Sequence, residues 1–150
     1  MIWKPNVTVA AVIERDGHFL VVEEESADGP VINQPAGHLE ENESLETAVI
    51  RETLEETGYE FSPTALIGSF LWQNPANNIT YFRVTYTGVV SDEPVSSTLD
   101  EGIIRTLWMT RSQLEEQQAR LRSPIILQTI DQYLLGKTYP LDAVQSFIND

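Results

Sequence analysis

The sequence predicts an α/β domain, and three observations carry the prediction. Runs of β-branched and aromatic residues bounded by turn residues recur along the chain, as strands do. The stretch from Glu43 to Thr57 instead repeats every 3.6 residues. Two further helix-start signals, Ser112-Gln-Leu-Glu115 and Ser123-Pro124, follow near the end. At 150 residues, with no internal repeat, low-complexity tract or linker, the chain is expected to be a single domain spanning 1–150.

Taken in order, VTVAAVIE and FLVVEEE flank Arg15-Asp16-Gly17-His18 and read as a hairpin closed by an Asp-Gly turn. His18 is expected to be a solvated turn residue. The charge run Glu23 to Glu25 enters a polar loop through Asp28-Gly29-Pro30. Val31-Ile32-Asn33 makes a short strand, and Gln34-Pro35-Ala36-Gly37 shapes the approach to the helix. Asn42 is the expected N-cap, with Glu43 in the first turn, and Gly58 is placed to take the left-handed conformation at the other end. Residues 66–72 and 79–90 read as strands joined by the turn-rich 73–78. A polar loop over 91–102 leads to a strand over 103–109 that places Trp108 in the core. The last two helices are expected from Ser112 to about Leu121 and from Pro124 to near Gly136.

The helix after Gly37 carries the chemistry. Leu45, Ala48 and Val49 form an apolar stripe, and the positions that continue it are Glu52, Glu55 and Glu56. Thr47, Ile50 and Leu54 cover the other side, so solvation of a charged face does not account for the glutamates. Like charges three and four residues apart repel, and partial burial raises the cost unless a cation sits among them. Oxygen ligands in a chain with no cysteine and only His18 and His38 favour Mg²⁺, or Mn²⁺, over zinc. Arg51 lies four residues before Glu55, within reach to orient that carboxylate.

These residues, Gly37, Glu43, Arg51, Glu52, Glu55, Glu56 and Gly58, resemble the Nudix box, Gly-x5-Glu-x7-Arg-Glu-U-x-Glu-Glu-x-Gly-U with U aliphatic. All seven fixed positions match, and the departures are Thr53 and Tyr59 at the U positions. The resemblance implies the Nudix fold, an α/β/α sandwich with a mixed central sheet, and Mg²⁺-dependent hydrolysis of a phosphoanhydride. It also implies that the Gly37 carbonyl reaches the metal, with Glu52 and Glu56 as principal ligands and Glu55 completing a second metal. Catalysis would rest on Arg51, Glu52, Glu55 and Glu56. A loop acid before the strand holding Trp108 is the further ligand or general base; Asp100 and Glu101 are the candidates, with Glu101 preferred on spacing. A solvated acid is the alternative at that loop.

The rest of the chain extends the likeness. Leu121-Arg122-Ser123-Pro124 and Tyr139-Pro140-Leu141, with VTVAAVI, FLVVEE and NQPAGHLE, resemble the NudJ-type bacterial Nudix phosphatases, which hydrolyse nucleoside di- and triphosphates and a thiamine-pathway pyrophosphate with release of phosphate. Pro75, sixteen residues after Tyr59, instead resembles the proline of enzymes that cleave ADP-ribose or other nucleoside diphosphate conjugates. A non-catalytic Nudix-like binding module would usually have a broken box.

Charge narrows the partners. Nine Lys and Arg against 23 Asp and Glu give a formal net charge of −14, which argues against nucleic acid and anionic membrane as partners. The expected partner is a small phosphate or pyrophosphate substrate, held by a monomer or homodimer. No cysteine, no apolar signal core in MIWKPNVTVA and no run long enough to span a bilayer fit a cytoplasmic protein. In so acidic a chain Arg83 stands out as a phosphate contact, a cross-strand ion pair being the alternative. Trp72 and Tyr81 are candidates to stack on a flat ring, or to pack on the sheet. Arg122, beside a Ser-Pro helix start, makes a second candidate anion site, unless it pairs with Glu115 or Glu116.

Overall fold

The computed structural model describes residues 1–148. Its strands are β1 (Asn6–Val12), β2 (Glu14–Arg15), β3 (His18–Glu24), β4 (Val31–Asn33), β5 (Ala36–His38), β6 (Phe61–Gln73), β7 (Thr80–Val90) and β8 (Ile103–Thr110). The helices are α1 (Leu45–Thr57), α2 (Arg111–Glu116) and α3 (Ile125–Leu134).

One sheet runs in the order β5-β1-β7-β6; the other joins β2, β3 and β4, with β8 paired to β3. The first sheet is mixed, because β1 lies parallel to β7, with Thr8 beside Arg83, and antiparallel to β5, with Val9 beside Gly37. Val9 to Val12 are buried on both sides, which is what a central strand with continuous apolar sequence requires. The expected hairpin between the first two apolar runs is therefore corrected. Only the two residues of β2 pair back onto β3, across Asp16 and Gly17 at φ 52° and 78°, while β1 belongs to the other sheet.

Side-chain alternation divides the core. Val9, Ala11, Ile13, Val84 and Tyr86 meet Ala48 and Val49 of α1 on one face. Val12 and Ile67 meet Leu114 of α2 and Ile126 and Ile130 of α3 on the other. Helices thus cover both faces, giving the expected α/β/α sandwich.

Two helix starts shift. Ser44, not Asn42, caps α1: its Oγ accepts from the Thr47 N–H at 3.1 Å, while Asn42 turns the chain at φ 63°. Thr110 and Gln113 form the capping box of α2, so that helix begins one residue before Ser112 and ends at Glu116. Gly58 takes the left-handed conformation as expected, at φ 77°, and a side chain there would run into the Ser96 carbonyl. β6 begins at Phe61, earlier than its sequence suggests, because two irregularities around Thr64 and Ile67 re-aim the strand and blur its alternation.

Candidate functional site

The last turns of α1 bring Glu52, Glu55 and Glu56 to one end of the sandwich. A carboxylate oxygen from each of Glu52, Glu55 and Asp100 falls within 4.8 Å of the others. Asp100 reaches this cluster because the loop after β7 is tied to the end of α1. Gly58 O accepts from the N–H groups of Val95 and Ser96 at 2.8 and 3.2 Å, and Glu55 O accepts from Asp100 N–H at 2.9 Å. Both loop acids are exposed, but it is Asp100, not Glu101 as preferred on spacing, whose carboxylate joins this cluster; Glu101 lies in the turn into β8.

Arg51 organises the carboxylates. Its guanidinium donates to Glu43 at 2.6 and 2.9 Å, to Glu52 at 2.8 Å, to Glu55 at 3.2 Å and to the His38 carbonyl at 3.1 Å. Glu43 also accepts from Glu40 N–H at 3.0 Å, so this residue of the box anchors the arginine and the turn, not the helix dipole. The hydrogen bonds to Glu43 hold the Arg51 guanidinium firmly protonated.

Glu56 is buried, and its Oε1 accepts from Ala36 N–H at 2.9 Å. Burial pushes its carboxyl up to about 9; the charges of Glu24, Glu52 and Asp100 push the same way, while the Ala36 hydrogen bond opposes them. Burial also raises Glu52, against the opposing pull of Arg51. Carboxylates that resist ionising together are ones whose charge a bound divalent cation would offset. The donors are all oxygens, as a hard cation prefers, and a Cβ on Gly37 would overlap the Glu52 carboxyl group, so only glycine lets the backbone lie this close to it. The residues fit a divalent cation.

Of the three substrate candidates one, Arg83, is buried, and two, Trp72 and Arg122, line a cleft. Arg83 is buried, and its NH2 donates to Gln34 Oε1 at 3.1 Å; no acid lies opposite it on β1 or β6, where its neighbours are Thr8 and Phe70. Burial draws its guanidinium down to about 10, with Glu56 and Glu24 opposing and Arg122 adding to the fall. Arg122 is half exposed and pairs with Glu24 at 3.3 Å, not with Glu115 or Glu116; Glu115 is taken by Arg111. Trp72 and Arg122 line one cleft of about 380 Å³ together with Pro75, Leu121 and Leu127. Trp72 stacks on Tyr81 with centroids 6.1 Å apart, and Tyr81 meets His38 at 6.5 Å, forming an aromatic row across the sheet end. Gln34 and Glu24 were not singled out in the sequence; a glutamine in a turn and an acid in a charge run carry no signal of their own.

A sandwich with an acidic α1 end and a glycine pressed against its carboxylate suits chemistry on phosphorus-containing anhydrides. The NUDIX domain family model matches residues 3–129, and the chain belongs to that family. It is 35% identical over 145 residues to the protein named Phosphatase NudJ of Escherichia coli, covering 97% of this chain and 94% of that one. A solved NUDIX hydrolase from Nitrosomonas europaea is 46% identical, with a TM-score of 0.92 over 96% of this chain and 98% of its own. The NUDIX domain of Shewanella oneidensis NrtR, solved with ADP ribose, shares the fold at a TM-score of 0.72 and 20% identity, over 90% of each chain. Among the described residues no helix is long and apolar enough to cross a membrane.

Proposed function

We propose that this chain is a Mg²⁺-dependent phosphatase of nucleoside di- and triphosphates, or of a thiamine-pathway pyrophosphate, that releases inorganic phosphate; Mn²⁺ is the alternative ion. The observation that carries the reading is the convergence of Glu52, Glu55 and Asp100 beside buried Glu56. Likeness to Phosphatase NudJ along almost the whole chain supports the phosphatase class. The chain reads as one domain: the family match runs over residues 3–129, and the two helix layers pack a core cluster onto each face of the strands between them.

Glu52, Glu55, Glu56, Asp100 and the Gly37 carbonyl would hold the metal. When bound, it supplies charge neutralisation for the phosphate oxygens and makes water a better nucleophile near neutral pH. Arg51 keeps Glu52 and Glu55 aimed inward through its bonds of 2.8 and 3.2 Å. Glu52 or Asp100 takes the proton of the attacking water as the phosphorus–oxygen anhydride bond breaks. Arg83 receives an inner phosphate oxygen and Arg122 an outer one, while Trp72 forms the apolar wall for the rest of the substrate.

Pro75 on the same cleft wall keeps ADP-ribose cleavage as the second reading. A panel of nucleoside diphosphates, triphosphates, a thiamine-pathway pyrophosphate and ADP-ribose, assayed with millimolar Mg²⁺, separates the two. Free phosphate from the first three groups supports the phosphatase. AMP plus ribose phosphate from ADP-ribose, with no phosphate from the others, would replace it with a pyrophosphatase.

A further inference from the structure

Gln34 is 1% exposed, and both ends of its amide are engaged. Oε1 accepts from Arg83 at 3.1 Å, while Nε2 donates to Thr129 Oγ1 at 2.9 Å and reaches the Ile126 carbonyl at 3.5 Å. Only one amide orientation satisfies these neighbours, because a guanidinium can only donate and a carbonyl can only accept. Thr129, fully buried on α3, is itself fixed by bonds from its hydroxyl to the carbonyls of Ile125 and Ile126 at 2.9 and 3.1 Å. A polar chain therefore runs from the backbone of α3 through Thr129 and Gln34 to Arg83.

The segment from Gln34 to Ala36 also serves the acidic cluster. Pro35 O accepts from Ala11 N–H at 3.0 Å, which pins the segment to β1, and Ala36 N–H holds Glu56. Gln34 to Ala36 thus grips a guanidinium by a side chain and a carboxylate by the backbone. Arg83 is 9% exposed, and its Nε finds no hydrogen-bond partner among the described residues. A buried donor left open is costly, and an incoming anionic oxygen would satisfy it.

We propose that Gln34 is a positioning residue, which fixes the Arg83 guanidinium from α3 so that its open donor meets a phosphate oxygen at a set separation from Glu56. The proposal rests on Arg83 being a phosphate contact, as read above. Its ligand is the phosphoanhydride moiety, whatever group that moiety carries.

The test compares Gln34→Met, Arg83→Met, the double variant and Thr129→Val. In each, KM for GDP, the Kd of methylenediphosphonate by calorimetry in the presence of Mg²⁺, and the melting temperature are measured. Arg83→Met should raise KM and Kd roughly tenfold, the loss of a charge-assisted contact. Gln34→Met should raise both about three- to tenfold, and the double variant should be no worse than Arg83→Met, because Gln34 acts through the arginine. Thr129→Val, which exchanges the hydroxyl for a methyl group, should move KM and Kd in the same direction, and it carries the test if Gln34→Met fails to fold. A purely structural Gln34 would lower the melting temperature and leave KM and Kd within about twofold, and that result overturns the proposal while leaving the Arg83 reading standing. Effects of Gln34→Met that add in full to those of Arg83→Met overturn it as well. Unchanged KM and Kd in Arg83→Met would instead remove the phosphate role of Arg83, and the proposal with it.

Discussion

Asp100 donates its backbone N–H to Glu55 O at 2.9 Å, so the loop that carries one carboxylate of the cluster is hydrogen-bonded to the helix that carries the others. That bond sets which loop acid faces Glu52 and Glu55. Asp100→Asn is expected to lower turnover at least ~10-fold or to raise the Mg²⁺ requirement by a similar factor, as loss of a metal-directed carboxylate would. Glu101→Gln, on the exposed turn, should stay within about twofold of the parent. The reverse ranking, measured as turnover against Mg²⁺ concentration, would return the role to Glu101.

Glu56→Gln and Glu52→Gln should each cut hydrolysis by at least ~100-fold, the scale set by losing a charge clamp at the reacting centre. The fold should survive, because the glutamine at position 56 still offers an oxygen to Ala36 N–H. Circular dichroism and turnover at saturating Mg²⁺ are the measurements, and near-parental turnover in either variant would refute the assignment.

Glu56 also gives the metal-free protein a pH dependence. Its carboxyl lies at about 9 in the folded chain against an ordinary 4.5, and below 4.5 both states hold the proton, so no stability is lost there. Between these values the folded state keeps a proton that the unfolded state releases, and stability falls as pH rises. Glu52 is shifted in the same direction and adds to the slope. Without divalent metal, the melting temperature should therefore decline from about pH 5 to about pH 9, and Glu56→Gln should flatten the decline. Millimolar Mg²⁺ should raise the melting temperature, more at pH 8 than at pH 6, because the ion competes with the proton. A metal-free profile that is flat or rising across this range would contradict the buried, protonated Glu56.

The contrast between α1 and the loop that serves it explains what the sequence made legible. The spacing of Arg51, Glu52, Glu55 and Glu56 is a local property of a helix, and Gly58 marks its end by its own conformation, so both could be read directly. Loop 91–102 has no periodicity, and the contacts that place Asp100 are backbone bonds, to which side-chain identity contributes nothing. The partner sheet of β1 was hidden for a related reason: a continuous apolar run shows that a strand is buried but not which strand lies alongside. Gln34 meets partners 49 and 95 residues away, and only the assembled sandwich brings them together.

Arg122 tests how far the site extends beyond α1. Its backbone N–H donates to Ile32 O at 2.9 Å, which fixes the chain at the mouth of the cleft, and its guanidinium leans toward Glu24 at 3.3 Å. Glu24 is shared, since it also accepts from Asn33 at 3.2 Å, and the Arg122 side chain remains 48% exposed. An ion pair this open to solvent is worth at most about 1 kcal/mol, so removing it should hardly alter stability. The same exposure leaves the guanidinium free to turn toward a phosphate entering past Trp72, in a chain whose net charge of −14 otherwise repels anions. Arg122→Ala should therefore raise KM for a nucleoside diphosphate roughly tenfold, the loss of one charge-assisted contact, with little change in melting temperature. Lysine at this position keeps the charge without the planar fork and should recover only part of the loss. Unchanged kinetics together with a lower melting temperature would make the bond to Glu24 the whole of its role.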